Sequence, residues 1–395
     1  MMSNSGDMAL VVESWFDGER HHRNQTTFLI REGRIAGIDA GDHGSDHEGR
    51  GIPVERGTFV MPGLVDAHVH LFLDGAPTDM KQRSAHLKQP VEILAETARN
   101  SARQSLACGV TLVRDAGDRH GLNNRMREEA RQDVSMARVR SCGIGLRRPG
   151  RYGSFMALEA ADDEAIRSSV AELCQHNDEI KLLLTGIIDF DAGAVTDEPQ
   201  FDANSARLVV EAARLHQRKT IAHCSGTKGL EIAVEAAVGS IEHGFFINRI
   251  ILEQMAEKHI AWTPTFCPVH FQWAHPEAAG WSKQTIGNLR RILDDHAKHL
   301  QVADEMGVPL LLGTDAGSMG VEHGYAIFNE IDCYLKAGLS MEHTLRAATA
   351  AGRSHFGFEA ATLKRGSPFE AILLDVSPFE DVRGLRQPRK VWVAH

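Results

Sequence analysis

The chain has 395 residues, 43% of them apolar, enough for one large core and a smaller appended one. A formal charge of −10, with no stretch rich in Lys or Arg, argues against nucleic acid as a partner. No window holds about 18 uninterrupted apolar residues, and Met1–Leu10 lacks the basic-then-apolar pattern of a signal peptide, so a cytoplasmic chain with no membrane contact is expected.

Residues 8–60 carry short apolar runs (Met8–Val12, Thr27–Ile30, Arg34–Ile38, Thr58–Val60) separated by Gly, Asp and Asn, the pattern of small antiparallel strands around a polar Asp42–Arg50 loop. After Met61-Pro62-Gly63 the pattern changes to β-rich runs alternating with amphipathic stretches. The predicted strands are Leu64–His70, Val110–Arg114, Ala137–Gly143, Ile180–Leu184, Lys219–His223, Ser240–His243, Ala261–Thr265 and Pro309–Asp315. Eight parallel βα units predict an α/β fold, a (β/α)₈ TIM barrel over residues 61–361. The helices between them include Pro90–Ala107, Asp162–Cys174, Ala203–Gln217 and Lys283–Met306, each with one apolar stripe. Short strands return at Phe369–Asp375 and Val391–Ala394, so 1–60 and 362–395 are expected to join in a small discontinuous β-sandwich domain.

Six cysteines (Cys108, Cys142, Cys174, Cys224, Cys267, Cys333) lie without a Cys-x-x-Cys spacing, as inert thiols in a reducing compartment would. Histidine, the side chain most often recruited to metals, is abundant at 21. In barrels of this kind active sites form at the carboxyl ends of the strands, which singles out His68, His70, Lys181, His223, His243 and Asp315. His68 and His70 are two apart on one strand and share a face, so both imidazoles can meet one cation. His223 and His243 end consecutive runs. Asp315 ends an apolar run, where a carboxylate is costly to bury unless a cation faces it; a helix N-cap is the plainer alternative. Lys181 interrupts Ile180-Lys181-Leu182-Leu183-Leu184 and needs compensation, either an ion pair with an acid such as Asp115 or conversion of the free amine by CO₂ to a carbamate between two metals.

Taken in order, His68-x-His70, Lys181, His223, His243 and Asp315 resemble the ligand set of the amidohydrolase superfamily, in its two-metal, carboxylated-lysine form. Met61-Pro62-Gly63-Leu64-Val65-Asp66-Ala67-His68, Gly109-Val110-Thr111-Leu112-Val113-Arg114-Asp115-Ala116-Gly117, Ser240-Ile241-Glu242-His243-Gly244 and Gly313-Thr314-Asp315-Ala316-Gly317 are similar to the imidazolonepropionase-like and Xaa-Pro dipeptidase-like branch. The resemblance implies that His68, His70 and Asp315 hold one divalent ion and His223 and His243 a second. Carboxylated Lys181 would bridge them with a hydroxide, and Asp315 would be general base and then acid. Zinc is the leading ion, with manganese, cobalt or iron also compatible with such ligands.

Two departures guide the reaction class. Deaminases of the superfamily carry a Glu three residues after the strand-five histidine, where this chain has Gly226. Imidazolonepropionase itself lacks the bridging lysine, so Lys181 turns the reading toward amide-cleaving relatives. The expected function is hydrolysis of a C–N bond in a small molecule, such as an N-acyl amino acid, a dipeptide or a urea or carbamate. A deaminase or cyclic-amide hydrolase, and a scaffold protein that has lost catalysis, are the alternatives. Arg151 and Tyr152 in the loop after strand three, with His270 and His323, are the candidate substrate contacts. Oligomeric state, a homo-oligomer included, stays open.

Overall fold

The computed structural model describes residues 6–359 and 362–393. Its N-terminal strands are longer than the apolar runs suggest, because pairing extends them. Met8–Phe16 lies parallel to Val54–Pro62, with Ala9 opposite Val54 and Trp15 opposite Val60, and antiparallel to Thr26–Arg31, which in turn pairs with Arg34–Ala40. The polar loop contains a short helix, Gly44–Glu48. From the other end of the chain, Ala371–Leu374 pairs antiparallel with Val54–Pro62 and with Lys390–Trp392, so both chain ends contribute to one seven-stranded sheet. Ala394, the expected end of the last strand, lies outside the described residues, as do residues 360–361. One face of this sheet has its own apolar cluster, including Leu10, Val12, Phe28, Ile30, Phe369 and Trp392.

Residues 64–316 alternate strands with helices. Leu64–Val69, Val110–Asp115 and Arg138–Ser141 form a parallel sheet, and Glu179–Leu183, Lys219–Cys224, Ser240–His243 and Ala261–Thr263 run parallel in a second. Two short strands absent from the expectation, Gly145–Arg147 and Ala157–Glu159, extend that second sheet. They are too brief and too polar at their ends to stand out by alternation.

The expected eighth strand is not a regular one. Within 309–316 only Leu310 and Ala316 form bridges, to Trp262 and Val69 respectively, both parallel. Between them the chain shares its bonds out: Leu311 donates to the Trp262 carbonyl, Ala67 donates to the Leu312 carbonyl, and Asp315 donates to the His68 carbonyl. The segment thus touches the edge strands of both sheets. On the far side, Asp178 N–H, just before Glu179–Leu183, donates to the Ser141 carbonyl of the first sheet. Gly313 permits this approach, since a Cβ there would sit 2.5 Å from Thr263 Cγ2 and 2.8 Å from His68 N.

Several helices start where a side-chain oxygen caps them. Asp162 accepts from Ala165 N before Asp163–Leu173, Asp202 from Ser205 N before Ala203–Leu215, and Ser282 from Thr285 N before Lys283–Glu305. Val91–Ala107 begins after Pro90. Their apolar stripes join the strands in the large core. Among the described residues, no helix is long and apolar enough to cross a membrane.

At the centre of the parallel strands lies Arg114, fully buried. Its guanidinium donates to the Ala67 carbonyl (2.7 Å), Glu179 (3.2 Å), Ser240 Oγ (3.1 Å), Glu242 (2.7 Å) and Thr263 Oγ1 (3.3 Å), binding four other strands with one side chain. Removing one partner of a buried ionic network strands the others without compensation. Arg114→Met is therefore expected to lower the free energy of unfolding by about 3–5 kcal/mol, measured by denaturant titration; a loss below about 1 kcal/mol would show that the carboxylates do not depend on it.

Candidate metal centre

Four histidines, a lysine and an aspartate converge at one end of the parallel strands. His68 and His70 close Leu64–Val69, and the Nε2 atom of each is 3.7 Å from Asp315 Oδ1. One nitrogen from each histidine and one Asp315 oxygen all fall within 4.8 Å of one another, a spacing able to hold a metal ion. Register brings in the next pair: Lys219–Cys224 and Ser240–His243 align Cys224 with His243, and His223 Nδ1 lies 2.8 Å from His243 Nε2. The rings of His68 and His243 are 5.0 Å apart, so the two groups adjoin. Lys181 is buried and its Nζ has no hydrogen-bond partner among the described residues, while its charge acts on all four histidines and on Asp315.

Three of the four imidazoles are aimed by the nitrogen that faces away from the centre. His68 Nδ1 lies 2.7 Å from Glu242 Oε2, and Glu242 is itself held by Arg114. His70 Nδ1 donates to the Gly117 carbonyl at 2.8 Å, which leaves the Nε2 lone pair pointing inward. His243 Nδ1 pairs with Thr265 Oγ1 at 2.8 Å. Outer partners of this kind fix tautomer and ring orientation at metal sites. Sequence reasoning missed Thr265 and the Gly117 carbonyl. Glu242, a fully buried acid within the short strand Ser240–His243, is the same kind of anomaly as Asp315.

The electrostatics are those of buried, uncharged nitrogen donors beside one carboxylate. Burial, more than any neighbour, keeps His68, His70, His223 and His243 below their ordinary pKa, so they are neutral and able to donate lone pairs. Burial also pushes Asp315 up to about 6, against the pull of Lys181, and lowers Lys181. The plainer alternatives for these two side chains do not hold. Asp115 accepts from Leu71 N and Gly117 N and forms no ion pair with Lys181, and Asp315 caps no helix, its Oδ2 accepting from Ser318 Oγ at 3.1 Å. Four neutral imidazoles, one carboxylate and an orphaned amine suit divalent cations, whose charge removes the cost of burying the acid.

The backbone is strained at the same place. His243 (φ 69°), Thr265 (φ 51°) and Asp315 (φ 55°) occupy the left-handed region, uncommon for residues with side chains and costing on the order of 1 kcal/mol or more each. Gly226, at φ 83°, would bring a Cβ to 3.1 Å from Val195, so no Glu fits that position without displacement.

Above the donors opens a cavity of about 580 Å³, lined by His70, His223, His243 and Asp315 and by Tyr152, Phe155, Phe190 and Trp281 among others. The four expected substrate contacts are placed differently from one another. Tyr152 lines the cavity, its ring 5.5 Å from that of His223. Arg151 turns away to the Glu198 carbonyl. His270 packs beside Trp273, and His323 is buried on the Leu73 carbonyl at 3.0 Å; neither is among the lining residues.

Because the Lys181 amine is buried without a partner, Lys181→Met should raise the stability of the metal-free protein by about 1–3 kcal/mol, read by denaturant unfolding in the presence of a chelator. A loss of stability instead would reveal a partner for the amine.

A model of the amidohydrolase family matches residues 59–394. An uncharacterized protein of Mycobacterium tuberculosis is 27% identical over 304 residues, covering 76% of this chain and 75% of that protein. Aspergillus niger ochratoxinase is 27% identical over 262 residues, 64% of this chain and 52% of its own length. In three dimensions its crystal structure superposes with a TM-score of 0.81 at 22% identity, over 98% of this chain and 94% of that one. A Xaa-Pro dipeptidase with bound methionine gives 0.81 at 21% identity over 98% of both chains. The chain belongs to the amidohydrolase family, and its fold is that of the Xaa-Pro dipeptidase-like branch.

Proposed function

We propose that this protein is a metal-dependent hydrolase of a C–N bond, of the amide type, in a small molecule. The observation that carries the reading is the convergence of His68, His70, His223, His243 and Asp315 around the partnerless Lys181 amine, beneath a cavity large enough for an organic substrate. Support comes from the family and from relatives described as a dipeptidase, an ochratoxinase, a molinate hydrolase and a phenylurea hydrolase.

On this reading the parallel strands and the 309–316 segment close into one eight-stranded barrel, flanked by a discontinuous β domain built from both ends of the chain. His68, His70 and Asp315 would hold one divalent ion and His223 and His243 a second, zinc being the leading choice, and Lys181, whose amine burial makes easier to deprotonate, would serve as a further ligand once carboxylated. Such a pair, when bound, polarises a carbonyl and makes water acidic near neutral pH.

The rest falls to the chain's own groups. Asp315 Oδ1 faces the centre and accepts a proton from the attacking water, then returns it to the departing nitrogen, while Ser318 steadies Oδ2. Glu242, Gly117 and Thr265 keep the imidazoles from turning. Tyr152 and the aromatic walls exclude bulk water from the scissile bond. Gly226, lacking any carboxylate to shuttle protons onto an amine, weighs against deamination.

The test joins metal analysis to turnover. After growth with zinc or manganese, the chain should carry close to two equivalents, falling to about one in a His223→Ala, His243→Ala double variant. It should also release amine from a panel of N-acyl amino acids, dipeptides and ureas. Asp315→Asn should depress kcat on the best of these by roughly 10²–10⁴-fold. Fewer than about one equivalent in the parent chain, or ammonia release alone, would sink the proposal.

A further inference from the structure

The cavity holds one charged side chain that the reaction above leaves unused. Among the residues lining it, Arg83 is the single Arg or Lys. It comes from the short helix Met80–His86, capped by Asp79, which buries none of its residues. Only Arg83 and His86 of that helix are even partly covered, and these two tie it down. His86 Nε2 donates to the Phe72 carbonyl at 2.8 Å. Arg83 Nη1 donates to the carbonyls of Asp74 (3.0 Å) and Pro77 (3.3 Å), and Nη2 to that of Gly317 (2.7 Å), two residues beyond Asp315.

All three acceptors are neutral, and among the described residues no carboxylate forms an ion pair with Arg83. Asp74 and Asp315 act on it only at longer range, and burial is the larger influence, depressing its pKa. The three bonds fix the guanidinium plane and use at most three of its five N–H groups, leaving donors in the fork arrangement that suits a carboxylate. The other acids of the cavity wall are engaged elsewhere, Asp189 with Ala192 N and Asp191 with the Thr285 hydroxyl. The remaining wall is of opposite chemistry: Phe155, Ile188, Phe190 and Trp281 line it, and Met80 and Ile187 stay 64% and 60% exposed while lining the same cavity. Large apolar side chains left open together at a cavity wall mark a surface that an apolar ligand covers.

We infer that Arg83 binds the free carboxylate of an amide substrate whose other half is aromatic or large and aliphatic. This rests on the hydrolase reading and narrows it to N-acyl amino acids and dipeptides, setting aside neutral ureas and carbamates. The short helix then has a purpose: it carries the cation to the cavity.

The test uses two ligands that cannot be hydrolysed, N-benzenesulfonyl-L-phenylalanine and the alcohol in which its carboxylate is reduced. Both are titrated calorimetrically into the metal-loaded wild type, Arg83→Met and Arg83→Lys, with metal content and thermal midpoint recorded for each. The wild type should favour the carboxylate by about tenfold or more. Arg83→Met should bind the two within about twofold of each other, and Arg83→Lys, keeping a point charge without the fork, should fall between. A tenfold preference persisting in Arg83→Met would assign the carboxylate to another group, and a wild type that binds neither ligand, or both equally, would remove the inference. Turnover separates the two claims. Arg83-dependent selectivity without hydrolysis of any N-acyl amino acid, dipeptide or urea would leave the carboxylate contact standing and defeat the hydrolase reading, whereas rapid hydrolysis of neutral amides unaffected by Arg83→Met would do the reverse.

Discussion

The buried contact between Arg114 and Glu242 is the interaction on which both the fold and the site depend. Neither charge has access to water, so each is tolerable only through the other and the polar groups around them. Against the desolvation that burial imposes, Glu242 and Glu179 keep the guanidinium charged. The same Glu242 uses its second oxygen on His68 Nδ1, so the packing of the strands is read out directly as the orientation of an imidazole. A site built on such a support inherits the rigidity of the core instead of the mobility of a loop. Asp66 repeats the arrangement on the other side: it accepts from Thr314 N and Thr314 Oγ1, holding the irregular 309–316 segment so that Asp315 arrives opposite the two histidines. Burial pushes Asp66 up to about 7, against the pull of the Thr314 hydrogen bonds.

Legibility followed physical necessity. His68 and His70 were visible because strand periodicity places i and i+2 on one face, and Lys181 because an amine in an apolar strand demands an explanation. His223 and His243 were visible because consecutive strands ended alike. Four long helices were legible from their stripes to within two residues at either end, whereas short ones such as Met80–His86 have no stripe to show. What escaped was whatever depends on register and not on pattern. Strand 8–16 grows past its apolar run because Val54–Pro62 lies alongside it, and the 309–316 segment loses its ladder because it must serve two edges at once. Thr265 escaped for a similar reason, since a threonine after a strand carries no signal until the ring of His243 is beside it.

The loop residues show where chemical intuition from sequence gives out. Arg151 and Arg83 look equally suited to a carboxylate in one dimension. In three, Arg151 spends its guanidinium on the Glu198 carbonyl outside the cavity lining, while Arg83, on a helix with no apolar face to announce it, reaches in. A guanidinium's role is decided by what already occupies its donors, and that is a property of the tertiary structure alone.

Strain completes the picture. His243, Thr265 and Asp315 hold backbone conformations that their side chains disfavour, and all three stand at or just beyond the carboxyl ends of the segments that line the site. A regular β geometry would continue the alternation and send alternate side chains back into the packed interior. Twisting the last residue into the left-handed region instead turns the imidazole of His243 and the carboxylate of Asp315 toward one point. The hydrogen bonds that hold these turns, Asp315 N to the His68 carbonyl and Trp262 Nε1 to the His243 carbonyl, come from neighbouring strands. The local penalty is therefore met by the core, which keeps the donors assembled at one point.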